Sequence, residues 1–212
     1  MGTSLSASIQ EQVEKGVAIL KKGGVVAFPT DTVYGLGASM AIDSAVESVY
    51  RIKERPRNMA LPLLLADISQ LDKIAISIPP SARLLADKFW PGPLTLVLLK
   101  SNAVSDIVSR DKTIAVRIPD HPIPTALARG IGTAIIGTSA NLSGQPSALT
   151  TAEARSQLGA NVDLIIDGDC PGGMESTVID LSGETPVILR EGALSTAKLR
   201  QICPEITVKE GG

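Results

Sequence analysis

Apolar and polar positions follow two periods along this chain, and the switches between them mark its elements. Ile9, Val13, Val17 and Leu20 recur at helical spacing, so the first strong element is an amphipathic helix. Ser8 and Glu11 stand at capping-box spacing near its start, and Gly23-Gly24 supplies the left-handed residue that ends helices. Val25 to Phe28 is a short buried strand stopped by Pro29. Asp43 caps a second helix with Val46, Val49 and Tyr50 on its inner face, running to Lys53 and ended by Pro56. Leu61 to Leu65 reads as a buried strand, Ser81 to Phe89 as a helix after Pro79-Pro80, and Leu94 to Leu99 as another strand. Thr113 to Ile118 alternates as a strand, a short helix covers Ile123 to Ala128, and Thr133 to Gly137 is extended again. Thr150 and Glu153 form a second capping box opening a helix. Beyond it, Leu164–Asp167, Thr177–Leu181 and Val187–Leu189 are strands too close together for helices between them, and Ser195 caps the last helix.

Helical crossovers favour parallel strand pairs, and short connections favour antiparallel ones. Alternation up to Gly137 followed by strand after strand therefore predicts one α/β domain over residues 1–212, built on a mixed parallel/antiparallel sheet with flanking helices. No low-complexity linker, charge run or internal repeat divides the chain. A hydrophobic share of 44% and a charged share of 20% are those of a soluble globular protein. Such a chain buries about 70% of its unfolded surface without help from disulfides. Cys170 and Cys203 lack CxxC spacing, so they read as buried structural thiols rather than zinc ligands.

Phe28, Tyr34, Tyr50, Phe89 and Trp90 are the only aromatic residues, too few for a base-stacking platform. A net charge of −2 gives no general attraction to nucleic acid. No apolar run approaches the ~20 residues that span a bilayer, and no signal peptide opens the chain, which points to the cytoplasm. Gly2 followed by Ser6 matches the loose myristoylation pattern, though Met1-Gly2-Thr3 equally suits a cloning remnant.

Polar residues gather where strands end: Thr30 to Gly37, Lys53 to Arg57, Arg117-Ile118-Pro119, Thr138 to Gly144, Glu175-Ser176-Thr177 and Arg190-Glu191-Gly192. Hydroxyls, amides, glycines and fixed cations suit anions and phosphates. Each segment alone has a plainer reading. Thr30 to Gly37 equally suits a strand-to-turn transition, and Lys53, Arg55 and Arg57 suit a solvated cluster on a helix C-terminal dipole. Arg117 is more pointed, because a guanidinium between Ala115-Val116 and Ile118-Pro119 is at least half-buried and needs an anionic partner. Ser139 is not in a G-x-S-x-G elbow. His121, the sole histidine, lies in Asp120-His121-Pro122 and reads as a turn or helix start. P-loop and Rossmann glycine motifs are absent.

Taken together, Phe28-Pro29-Thr30-Asp31-Thr32-Val33-Tyr34-Gly35-Leu36-Gly37, Lys53-x-Arg55-Pro56, Trp90-Pro91-Gly92-Pro93-Leu94-Thr95, Val116-Arg117-Ile118-Pro119, Ser139-Ala140-Asn141-x-Ser143-Gly144, Glu175-Ser176-Thr177-Val178-Ile179-Asp180 and Leu189-Arg190-Glu191-Gly192 resemble the YrdC-like family of threonylcarbamoyl-AMP synthases, over about 23–192. The resemblance is to its short form, without the extra C-terminal domain. It implies a twisted mixed α/β sheet around a large basic cavity, and the reaction of L-threonine, bicarbonate and ATP to threonylcarbamoyl-AMP and pyrophosphate. It implies Mg²⁺ bound through the ATP phosphates, no metal ligand from protein side chains and no side-chain nucleophile. The product would feed a downstream tRNA threonylcarbamoyl transferase machinery that modifies the adenosine beside the anticodon.

By motif position, Thr32, Arg117 and Ser176 would hold threonine, with Gly137 contributing through its backbone. Arg55, Thr113, Ser139, Ser147 and Arg190 would hold ATP, with Lys53 and Asn141 as further polar members of the site. Two departures stand out. Met59 occupies a place where relatives commonly carry Lys or Asn, so Arg57 or Asn58 substitutes or nucleotide binds more weakly. No histidine stands near Leu64, where some relatives have one. The alternative reading is an RNA-binding module using the same basic cavity for a tRNA or double-stranded RNA backbone. A related carbamoyl-handling domain of hydrogenase maturation is a further rival, but its acylphosphatase and zinc-finger segments are not found here.

Overall fold

The computed structural model describes residues 5–209, so the Gly2 motif and the chain end at Gly212 lie outside the described residues. Helix α1 (Ala7–Lys21) buries Val13 and Leu20. Its cap is Ser6, whose Oγ accepts the Ile9 N–H at 3.4 Å, and the expected cap Ser8 lies inside the first turn. The earlier start brings both Leu5 and Ile9 onto the core beneath the helix. Gly23 follows at φ 84°, as its position required.

Strand β1 (Val26–Phe28) is wholly buried. It pairs antiparallel with β2 (Gly35–Gly37), a segment the pattern marked only as a turn. A strand with two glycines carries no β signature, yet these are required: the Phe28 ring lies so close that a Cβ at Gly35 or Gly37 would meet it at 2.7 or 2.6 Å. Helix α2 (Asp43–Lys53) buries Val46, Val49 and Tyr50. Its N-cap is Ile42 with no side-chain cap bond, so Asp43 acts on the helix dipole from the first turn instead of capping.

The next strand, β3 (Leu63–Leu64), is shorter than the apolar run suggested. An unpredicted short helix, α3 (Leu71–Ile74), precedes α4 (Pro80–Phe89), β4 (Leu94–Leu99) and β5 (Thr113–Arg117). Helix α5 (Pro122–Ile131) is capped by His121, whose Nδ1 accepts the Ile123 N–H at 3.3 Å. The extended stretch expected over Thr133 to Gly137 divides into β6 (Ile135–Ile136) and β7 (Thr138–Ser139). Then come α6 (Thr151–Leu158) with its capping box formed, β8 (Leu164–Ile165), β9 (Thr177–Asp180), β10 (Val187–Arg190), α7 (Thr196–Arg200) capped by Ser195, and an unpredicted β11 (Thr207–Val208).

The strands form two mixed sheets rather than one. The smaller has the order β7-β2-β1-β8 and the larger β11-β10-β9-β4-β5-β3-β6. The chain passes from the larger to the smaller at Gly137, between β6 and β7. One core joins α2 and α4 to both sheets through Val49, Leu85, Leu96 and Val116, with Ala27 and Leu36 from the smaller sheet. Another joins α1 and α5 to β1 through Leu20, Leu127 and Phe28. Cys170 and Cys203 are free and buried, as read. No helix among the described residues is long and apolar enough to cross a membrane.

Candidate functional site

Both sheets contribute walls to a cavity of about 520 Å³, a size usual for small-molecule sites. Strand alternation sets what faces it. On β4, Leu94, Leu96 and Leu98 enter the core while Thr95 turns to the cavity; on β5, Ile114 and Val116 are core while Ala115 and Arg117 turn to the cavity. A register shift between Ile188 and Arg190 in β10 breaks this rule, so consecutive Leu189 and Arg190 both line the cavity.

Arg117 is buried at the end of β5, and three of its five N–H donors are committed. Nε donates to Gly92 O at 2.9 Å, Nη1 to Thr32 Oγ1 at 2.9 Å, and Nη2 to Asp31 Oδ1 at 2.5 Å. Asp31 is therefore the anionic partner that this guanidinium required. Thr32 is itself buried, fixed by Thr30 Oγ1 at 3.0 Å. On β4, the strand paired with β5, Thr95 Oγ1 lies 2.8 Å from Ser176 Oγ. Arg190 ion-pairs with Glu175, and its Nε and Nη2 donate to Ser176 O at 3.2 and 3.0 Å.

Arg55 also lines the cavity. Its Nε and Nη2 donate to Met59 O at 3.1 Å and Ala60 O at 3.0 Å, and it has no acidic partner among the described residues. Ser139 and Gly137 complete the set of expected residues in the wall, although the Gly137 N–H is committed to Pro62 O at 2.9 Å. Lys53, Asn141, Ser147 and Thr113 are outside the lining. The Lys53 ammonium is buried and donates to Ser139 O at 2.5 Å, Asn141 O at 2.7 Å and Asn141 Oδ1 at 2.9 Å. All three of its protons are used on the turn that carries Ser139. Burial pushes the Lys53 amine down to about 8. Asn141 Oδ1 also accepts from Ser139 Oγ at 2.6 Å, and Ser147 Oγ donates to Glu175 Oε1 at 2.9 Å. Thr113 shares the cavity-facing side of β5 but stands at its far end, where its carbonyl accepts from Ser109 Oγ at 2.8 Å.

Met59 and Leu64 both line the cavity, at the two places where the chain departs from its expected pattern. Arg57 does not make up the donor missing at Met59: it ion-pairs with Glu47 and stacks over Tyr50 at 4.7 Å. Glu175, Thr95 and Asp31 were not assigned roles from the sequence, because their partners are remote along the chain. Burial lowers the His121 pKa, so a neutral ring caps α5. Phe28, Tyr34 and Tyr50 are buried, which leaves no ring from them to stack on a base. Among the described residues no group of three or more His, Cys, Asp or Glu could hold a metal ion.

Residues 18–192 match the Sua5/YciO/YrdC family, described as "Telomere recombination". A Bacillus subtilis protein named threonylcarbamoyl-AMP synthase is 40% identical over 203 residues, which is 94% of this chain and 59% of that protein. The crystal structure of Pyrococcus abyssi Sua5 complexed with L-threonine is 39% identical, with a TM-score of 0.91 over 93% of this chain and 58% of the other. Escherichia coli YciO is 34% identical, with a TM-score of 0.80 over 90% of this chain and 93% of the other. The chain spans 59% and 61% of the length of the Bacillus and Pyrococcus relatives. With most of its length matched in sequence and its sheets matched in three dimensions, the chain belongs to the Sua5/YciO/YrdC family.

Proposed function

We propose that the protein is a threonylcarbamoyl-AMP synthase, a nucleotidyltransferase that joins L-threonine, bicarbonate and ATP and releases pyrophosphate. The observation that carries the reading is the convergence of Arg55, Arg117 and Arg190 on one cavity between two sheets. Arg117 keeps two uncommitted N–H donors beside the Thr32 and Ser176 side of the wall, which suits an amino-acid carboxylate. Arg55, Ser139 and Arg190 suit a polyphosphate, with Ala115, Val178 and Leu189 as apolar surface for a base. The names of the relatives and the threonine in the Pyrococcus structure support the reaction proposed, not the individual residue roles.

The chemistry is templated. The neutral amine of threonine attacks carbon dioxide and gives up a proton to solvent, or attacks bicarbonate and releases water; the carbamate oxygen so formed then attacks the α-phosphorus and expels pyrophosphate. Holding such mutually repelling anions in contact can lower the barrier by roughly 7–11 kcal/mol, and fixed guanidiniums stabilise charge on the phosphoryl oxygens. Among the described residues no paired base activates either serine of the wall: Ser139 Oγ bonds the Asn141 amide and Ser176 Oγ bonds Thr95. Mg²⁺ fits as a cation arriving with the triphosphate, because among the described residues no group of three or more His, Cys, Asp or Glu is placed to hold a metal ion. The product would pass in the cytoplasm to the machinery that modifies tRNA. Pyrophosphate release by the purified protein should require both threonine and bicarbonate; release that ignores either one rejects the reaction.

A further inference from the structure

Among the described residues Glu175 is the single carboxylate in the cavity lining, and it binds Arg190 and Ser147, two of the proposed nucleotide-holding residues. Its Oε2 is ion-paired with Arg190 Nη1, and its Oε1 accepts the Ser147 Oγ–H at 2.9 Å. The backbone beneath is fixed, since Glu175 O accepts the Ala193 N–H at 3.0 Å. The side chain is not: it is 38% exposed and Arg190 is 47% exposed. A carboxylate meets an arginine fork and a hydroxyl with two oxygens, as a phosphate does.

We propose that Glu175 is an internal competitor for the nucleotide: its carboxylate holds the anion position on Arg190 and Ser147, and a phosphate group must displace it. This deepens the functional reading above and rests on it. Half-exposed ion pairs are weak, so displacement is easy and the affinity loss modest. The competitor still matters for charge. Asp31 already neutralises Arg117, so with Glu175 in place Arg55 is the one lining cation without an acidic partner among the described residues. A residue that instead positioned Arg190 for the nucleotide would have the opposite effect on affinity.

Glu175→Gln keeps the shape and the acceptor for Ser147 while removing the charge. Calorimetry with inorganic tripolyphosphate and with a non-hydrolysable ATP analogue, both in EDTA, is expected to show about fivefold tighter binding than in the natural protein. The gain should shrink as salt is raised and vanish in an Arg190→Ala background. Equal or weaker binding by Glu175→Gln overturns the proposal while leaving the functional reading intact. Failure of the natural protein to bind the ATP analogue either in EDTA or with Mg²⁺ added overturns the functional reading, and this proposal with it.

Discussion

A buried guanidinium can hold a ligand only when its own counter-charge is already placed. Arg117 is 6% exposed and Asp31 Oδ1 stands 2.5 Å from it, while Asp31 Oδ2 is a buried oxygen without a hydrogen-bond partner. Removing one member of such a pair strands the other in a low-dielectric site. Asp31→Ala is therefore expected to destabilise the fold by about 3–5 kcal/mol, measured by urea unfolding. The arginines should separate by ligand. Arg117→Lys loses the fork that reaches Gly92, Thr32 and Asp31 together, so calorimetry should show threonine affinity falling about tenfold or more while ATP-analogue affinity changes little. Arg55→Ala should do the reverse. At this scale the sequence was partly legible. A cation between Ala115-Val116 and Ile118-Pro119 must be buried, so Arg117 declared itself, but nothing in the local pattern named Asp31 as its partner. Lys53 hid more: beside Arg55 and Arg57 it reads as one of a solvated trio, and only the folded turn shows carbonyls at residues 139 and 141 wrapping it.

Helices of more than two turns and strands of five residues or more were readable because periodicity needs that length to show. α1, α2, α4, β4 and β5 all stand where their apolar spacing put them. The two- and three-residue strands β2, β7 and β11 carry no period, and the packing of Phe28 on two glycines overrides β propensity outright. Gly137 is the decisive case. Its backbone is not in the left-handed region, yet an added Cβ would lie 2.2 Å from Leu64 Cγ and 2.5 Å from Leu64 Cδ1. The transfer from one sheet to the other therefore depends on space, not on dihedral freedom. Gly137→Ala should destabilise by about 1–3 kcal/mol through overpacking. All three near atoms belong to one side chain, so Leu64→Ala removes the clash. Unfolding of the single and double variants should show a coupling of about 1–2 kcal/mol, with the double variant more stable than the sum predicts.

For the molecule as a whole, what the pattern could not reveal was the division of one expected sheet into two, and hence a cavity with a wall from each. Lys53 ends α2 and ties it to the smaller sheet: its ammonium binds the turn leaving β7, and its carbonyl accepts the Ser143 N–H at 3.0 Å. This tie sets a pH signature. Burial lowers the Lys53 amine from 10.5 to about 8, so the unfolded chain binds more protons there than the folded one. Stability must then rise with pH across that window and lose the gain as pH falls back through about 8. Cys170 and Cys203 work against it: burial raises them from 9.0 to about 11 and about 12, so their contribution is lost as pH climbs above 9. A single stability curve would mix the two effects, but a difference separates them. Lys53→Met leaves the thiols alone and removes the titrating amine, while its unpaired carbonyls lower stability by a constant amount. Between about pH 7.5 and about pH 9 the natural protein should gain roughly 1 kcal/mol over Lys53→Met in urea unfolding. A difference that stays flat across that interval would show an ammonium that keeps its proton, held by its carbonyls against the cost of burial.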